Sequence, residues 1–363
     1  MSVWSPKLLR QIKIEKRLHL LPVINIIIPI FSIVLALLLS GVFLSIKGID
    51  PVKTFMTMLK GSFGSAYGFS ETIIETIPIL IASLGVSVAF KMKLWNIGAE
   101  GQIYMGAFAA SGVALFFPQL PAYVMLPAML LAGFLAGAVW ALIPAIPKAF
   151  LDVNETIVTL MLNYVAILWV DYLVYGPWKD PKGFNFPFSP PFPPAAMLPV
   201  IPGTRIHLGI VLALIFAVVL FILFKNTTWG YQIKVIGQSS NAARYAGMNI
   251  KRYIMLVMLI SGGLAGIAGM GQVSGVIGKL QHTISTGYGY TAIIVAYLAK
   301  LNPLVIVIVS LLFGGLVTGG YAIEVVGLPS QIVTMLQGAI LFFVLGGEIL
   351  ARYRFTFKNS DER

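Results

Sequence analysis

Residues 21–46 read LPVINIIIPIFSIVLALLLSGVFLSI, interrupted only by Pro22, Asn25, Pro29 and a few Ser and Gly. As a helix rising 1.5 Å per residue, this run is long enough to cross about 30 Å of hydrocarbon. Nine further apolar runs centre near residues 80, 107, 135, 165, 215, 262, 293, 310 and 340. The expected fold is an all-α polytopic membrane protein of about ten transmembrane helices, with a membrane domain over residues 21–351.

The cations give the expected orientation. With the N-terminus in the cytoplasm, 18 of the 25 Lys and Arg fall on that side, among them Lys7, Arg10, Lys91, Lys148, Lys234, Arg244, Arg252, Lys300 and Arg352. Lys and Arg are retained on the cytoplasmic side during insertion, so an even number of spans and an N-in, C-in topology agree. Residues 352–363 then form a cytoplasmic tail. Residues 1–20 alternate Leu8, Leu9, Ile12 and Leu18 with cations, as in an amphipathic helix on the inner leaflet. The run that follows is too long for the apolar core of a signal peptide and is expected to be an uncleaved first span.

Composition removes several function classes. Charged residues are 10% of the chain and hydrophobic residues 58%, against about 25% charged in an ordinary soluble domain. No stretch remains for a soluble catalytic domain. The net charge of +12 lies beside the spans, where anionic lipid headgroups rather than nucleic acid are the expected partner. The chain has no cysteine and three scattered histidines, His19, His207 and His282, so no metal or catalytic cluster is expected. A phosphate-binding Gly-x-x-x-x-Gly-Lys-Ser/Thr loop is absent as well. No cofactor is expected.

Three connections are long. Residues 47–70, expected outside, carry Phe55, Met56, Met58 and Leu59 at partly helical spacing, as in a short surface helix. Residues 176–205 are rich in Pro and aromatics and are expected to form an irregular external cap. Residues 225–252 form a structured cytoplasmic loop, helix-prone from Asn241 to Gly247, with the glycine suited to a helix stop. Gly133/Gly137, Gly262/Gly266, Gly271/Gly275 and Gly315/Gly319 recur at four-residue spacing, which suits close helix packing in lipid. The similar glycine and polar content of residues 70–175 and 255–350 is compatible with a duplicated half.

Polar residues inside spans are the candidate functional ones, since each needs a partner or a water-filled cavity. They are Glu75, Asn96, Glu100, Gln102 and Asn163, with Tyr290 and Tyr297 sharing a face at seven-residue spacing. Asn96 precedes Glu100 by one helical turn if that segment is helical, while Gly98 and Gly101 suit a broken helix facing a translocation path. Glu155, Thr159 and Asn163 repeat every four residues as one polar stripe. Glu155 reads as a helix N-terminal carboxylate after Asn154.

Leu-Trp-Asn-Ile-Gly-Ala-Glu-Gly-Gln (94–102), Asn-Glu-Thr-Ile-Val-Thr-Leu-Met-Leu-Asn-Tyr (154–164) and the run from Gly287 to Pro303 resemble, in order, the motifs of ABC importer permeases for nucleosides and simple sugars. The segment Asn241-Ala242-Ala243-Arg244-Tyr245-Ala246-Gly247 is similar to the Glu-Ala-Ala-x-x-x-Gly coupling loop of such permeases, with Asn241 in place of glutamate and no downstream Leu-Pro. The resemblance implies a type II-like permease fold and a nucleoside as substrate, with simple sugars as the alternative. It also implies a permease subunit without ATPase activity of its own, in a prokaryotic cell membrane. Its implied partners are a cytoplasmic ATPase, a second permease and an extracellular or periplasmic solute-binding protein. In this reading Asn241, Ala242, Ala243, Arg244 and Gly247 couple to the ATPase, and Glu75, Asn96, Glu100, Gln102, Asn163 and Tyr290 line the substrate pathway. The intramembrane carboxylates leave a proton-coupled carrier as a rival, and an intramembrane enzyme as a weaker one.

Overall fold

Every apolar run becomes a helix in the computed structural model, which describes residues 12–16 and 24–357. The order is β1 (Ile12–Lys16), α1 (Ile24–Ile46), α2 (Pro51–Phe63), α3 (Ala66–Lys91), α4 (Ala99–Phe116), α5 (Ala122–Leu151), α6 (Glu155–Tyr175), α7 (Gly209–Asn226), α8 (Thr228–Gln238), α9 (Ser240–Tyr245), α10 (Ile250–Gln272), α11 (Tyr288–Leu298), α12 (Pro303–Val325), α13 (Gln331–Arg352) and β2 (Tyr353–Phe357). A π-helical turn, Val273–Ile277, extends α10. Polar side chains set many of the starts: Ser65, Asn154, Thr227, Ser239, Asn249 and Asn302 each accept a backbone N–H from the first turn of the helix they precede. Each satisfies a donor that the helix itself leaves unpaired.

Among the described residues, six helices are long and apolar enough to cross a membrane: α3, α5, α6, α7, α10 with its π turn, and α12. The apolar segments Ile30–Ile46, Tyr288–Leu298 and Gln331–Gly347 are shorter. With 11 residues, α11 extends only about 16 Å, half of a bilayer core. Hydropathy alone does not separate such a half-span from a full one, because both are equally apolar per residue.

The chain falls into two compact units. The first holds the chain up to Phe55 and from Pro329 on. In it α1 packs along α13, with a carbon on Gly347 falling 2.8 Å from the Ile28 side chain. The strands β1 and β2 pair antiparallel, Ile14 opposite Phe355. This corrects the expectation of a helix for Ile12–Lys16, and it gives the start of the expected tail, Tyr353–Phe357, a strand: both segments alternate apolar and polar residues, the period of a strand. The rest of the expected N-terminal helix (1–11 and 17–20), and residues 358–363 of the tail, lie outside the described residues.

The second unit spans Met56–Leu328 and is built around α10, on which α3, α4 and α5 all pack. Backbone meets backbone here. A carbon added at Gly266 would lie 2.1 Å from the Gly133 carbonyl oxygen, one at Gly137 2.2 Å from the Gly262 oxygen, and one at Gly106 2.2 Å from the Gly266 oxygen. The Gly133/Gly137 and Gly262/Gly266 pairs are therefore one crossing of α5 and α10, as small residues in lipid-embedded helices permit. Gly271 differs: a carbon there would meet nothing within 4 Å.

The 176–208 connection is ordered by backbone hydrogen bonds onto the segment that follows α10. Ser189, Phe192 and Leu198 N–H groups donate to Leu280, Gly278 and Ser274 carbonyls at 2.8–2.9 Å. Trp178 stacks on Phe108 (centroids 5.3 Å apart). His207, 1% exposed, accepts the Gly209 N–H on Nδ1 (3.2 Å) while its Nε2 has no partner. Burial lowers its pKa to about 4 from 6.5.

Two outcomes follow. Gly266→Ala is expected to destabilise the protein by about 1–3 kcal/mol through backbone overpacking, whereas Gly271→Ala stays neutral or better; unfolding in detergent compares them. For His207 the folded-state pKa lies below the free value, so its contribution is complete above about pH 6.5 and is lost as pH falls toward 4, by roughly 3 kcal/mol. Thermal midpoints between pH 4 and pH 8 should show this acid limb, and His207→Asn should flatten it.

Candidate functional site

Between α3 and α4 the chain leaves helical geometry over residues 92–98, with Lys93 at φ 58°. Peptide groups freed this way in an apolar interior must be re-bonded, at a cost of several kcal/mol each if they are not. The polar stripe of α6 does this. Glu155 accepts the Trp95 N–H (3.2 Å), Thr159 accepts the Ile97 N–H (3.3 Å), and Asn163 accepts the Gly101 N–H (2.8 Å) while donating to the Ile97 carbonyl (2.9 Å). Three residues one turn apart thus hold Trp95 and Ile97 of the irregular chain and Gly101 in the first turn of α4. Lys148 pairs with Glu155 at 3.2 Å and closes the end of the ladder.

On its other side the break is held by an amide pair. Asn96 Nδ2 donates to Gln102 Oε1 (3.0 Å) and to Ser261 Oγ of α10 (2.9 Å), and Gln102 Nε2 donates back to Asn96 Oδ1 (3.1 Å). Asn96 is 0% and Gln102 1% exposed. Because 92–98 is irregular, Asn96 and Glu100 do not share a helical face as the sequence spacing suggested.

Glu100 joins the starts of α4 and α11. It lies in the first turn of α4, and its Oε2 accepts the Gly289 N–H of α11 at 2.7 Å. It also bonds the Ser285 side chain and the Gly287 backbone. A carboxylate here compensates the positive end of α11 and occupies donors that the helix leaves open. Gly289 allows the approach, since a carbon there would fall 2.2 Å from the Glu100 nitrogen.

Glu75 belongs to a second cluster. Its Oε2 accepts the Tyr288 hydroxyl (2.7 Å), which in turn accepts Gln272 Nε2 (2.8 Å). Tyr321 of α12 hydrogen-bonds Thr286 and Tyr288 beside it. One turn back on α3, Glu71 forms an ion pair with Arg205, which also donates to the Tyr67 hydroxyl (3.1 Å).

Of the six expected pathway residues, Glu75, Asn96, Glu100, Gln102 and Asn163 are buried and occupied by other protein groups. Only Tyr290 is exposed, at 38%, with its hydroxyl accepting from Asn163 Nδ2 (3.2 Å). It shares the open face of α11 with Ile293 and Tyr297, and Thr286 lies exposed just before the helix. Trp95, 41% exposed, stacks on Tyr297 (5.7 Å, 29°), and Phe90 packs edge-on behind both. Gln272 and Tyr321 escaped the sequence reading, and Ser261 and Trp95, the latter within the 94–102 motif, were given no site role. A search for every polar residue within the apolar runs would have found Ser261, Gln272 and Tyr321.

The segment expected to couple to an ATPase forms the exposed helix α9. Asn241, Ala242 and Arg244 face outward, Ala243 is buried, and Gly247 (φ 74°) ends the turn, with the Met248 N–H donating to the Ala243 carbonyl (3.0 Å). The preceding α8 abuts the end of α3: a carbon at Gly237 would lie 2.3 Å from the Lys91 carbonyl oxygen.

Comparison with known proteins places this geometry in context. A family described as branched-chain amino acid transport system / permease component matches residues 68–345. The chain is 35% identical over 90% of its length to the glucose ABC transporter permease protein of Haloferax volcanii, covering 88% of that protein. It is 32% identical to the guanosine ABC transporter permease protein NupP of Bacillus subtilis, over 88% of this chain and 93% of that one. With the nucleoside ABC transporter permease protein NupB of Lactococcus lactis the identity is 30%, over 88% and 90%.

Asn163→Leu would strand the Gly101 N–H and the Ile97 carbonyl, and is expected to cost about 3 kcal/mol. Thr159→Ser, which keeps its hydroxyl, should be close to neutral. Unfolding of both variants in detergent is the check.

Proposed function

This chain belongs to the permease family described as branched-chain amino acid transport system / permease component, and on that premise we propose that it is the membrane subunit of an ATP-driven nucleoside importer. Two relatives at 30% and 32% identity carry nucleoside or guanosine transport in their names. The observation that carries the mechanism is the pairing of a broken segment, 92–98, with a half-span, α11. Irregular backbone at membrane depth is tolerated only against protein or a water-filled cavity. The open face of α11 therefore borders a solute path, closed on its far side by a second permease.

In this reading the chain is N-in and C-in across about ten helical segments of a prokaryotic cell membrane. The rim formed by Tyr67, Glu71 and Arg205 faces the solute-binding protein. Buried Glu75, Asn96, Glu100, Gln102 and Asn163 shape the path from behind, and Tyr290 touches the solute. The ATPase binds α9 through Asn241, Ala242 and Arg244, with Ala243 and Gly247 fixing the helix. Its movement passes through α8 to the end of α3, and so to the break at 92–98, as a rigid-body shift.

Simple sugars are the second reading, favoured by the glucose permease relative at 35% identity. Uptake of guanosine and glucose into vesicles holding the complete complex decides between them. ATP-dependent uptake that survives a proton uncoupler is expected, and uphill transport by the lone chain would overturn the importer reading. Arg244→Glu, on exposed α9, should reduce uptake at least about tenfold, the effect of losing one charge-assisted contact worth about 1.5–3 kcal/mol. Unchanged uptake would remove α9 from the coupling interface.

A further inference from the structure

We propose that the open face of α11, from Tyr290 to the stacked Tyr297–Trp95 pair, is a rail that binds the planar heteroaromatic ring of the transported solute. The inference rests on the importer reading and deepens it, because it selects a nucleobase over a free sugar. Tyr290 and Tyr297 are seven residues apart, two turns on one face, about 10 Å along the axis. Lipid does not account for this face. α11 is too short to cross a bilayer, and the irregular chain at 280–287 that leads into it would leave peptide groups in hydrocarbon. Tyr290, about 10 Å from Tyr297 along the axis, lies deeper than an interfacial belt would place it.

The geometry of the rings fits a flat ligand. Trp95 and Tyr297 stack at 5.7 Å with their planes 29° apart, and Phe90 supports them at 5.3 and 5.4 Å. Supported in this way, they present a rigid aromatic face on which another ring can stack, and Trp95 keeps 41% of its surface open. Tyr290 is held on the same face by Asn163 (3.2 Å), where its ring offers the next contact along the path.

The same neighbourhood lacks what a sugar requires. A sugar is read by several amide, carboxylate and carbonyl partners around its hydroxyls. The amides here, Asn96, Gln102 and Asn163, are fully buried and bonded to one another, to Ser261, to the backbone and to Tyr290. Glu100 is occupied by the start of α11. Besides a few hydroxyls, what the open face presents is aromatic surface, so the chemistry it selects is a π system.

The test uses the complete complex in vesicles: this chain with its second permease, ATPase and solute-binding protein. Tyr297→Leu and Trp95→Leu should each slow guanosine uptake about tenfold, the scale of losing one base–aromatic stack. Tyr297→Phe, which keeps the ring, should stay within about twofold of the parent. Tyr123→Leu, at an exposed tyrosine in the first turn of α5, should be unchanged. Co-purification of the partners confirms assembly of each variant. Independently of folding, 8-azidoguanosine should photolabel the 288–298 peptide of the unmodified complex, with protection by guanosine and none by ribose. Parental uptake by Tyr297→Leu, a Tyr297→Phe variant no better than it, or labelling elsewhere would each overturn the rail while leaving nucleoside import intact. An unmodified complex that imports glucose and no nucleoside would overturn the rail and the substrate reading together.

Discussion

A peptide group released from a helix inside an apolar medium has to be bonded again, and the second unit is organised around that requirement. The irregular stretch 92–98 survives because α6 supplies an oxygen at Glu155, Thr159 and Asn163, one turn apart, matched to the Trp95, Ile97 and Gly101 N–H groups. The start of α11 survives because Glu100 accepts its first free donors. Without these partners each break would cost several kcal/mol per group.

The two breaks have different consequences. Held by α6 on one side and by Ser261 of α10 on the other, residues 92–98 form a defined bend rather than a loose loop. They follow directly on the end of α3, against which α8 is pressed at Lys91. A displacement of the α8–α9 segment therefore reaches the bend through backbone contact. The half-span α11 is supported by α3, α4 and α12, which leaves one face of aromatic and hydroxyl side chains open. One break thus bends and the other exposes.

Close packing makes this arrangement stiff. Where α4, α5 and α10 cross, glycine removes the side chain and backbone approaches backbone. Such a crossing leaves little room for gradual deformation, so movement is expected as displacement of whole helices. The buried carboxylates, which suggested a proton carrier from the sequence, are occupied by Tyr288 and by the start of α11. Both carboxylates bond neighbouring helices.

Much of this was legible in the residues. The apolar runs gave every helix from α1 to α13 that crosses or dips into the membrane, because hydropathy needs no tertiary information. The glycine pairs at 133/137 and 262/266 announced a close crossing, and the four-residue repeat of Glu155, Thr159 and Asn163 announced a polar face. The sequence also placed the αL stop at Gly247, since few residues other than glycine adopt that conformation without strain. What it could not supply was the partner of each group. Asn96 and Glu100 looked like neighbours on one helix, yet one bonds α10 and the other α11, because the chain unwinds between them. α11 looked like a full span, and Ile12–Lys16 like part of a helix. Residue type and spacing fix which groups must be satisfied and which faces are apolar. Which group satisfies which is decided by contacts between residues 60 to 213 positions apart, and those exist only once the helices have packed.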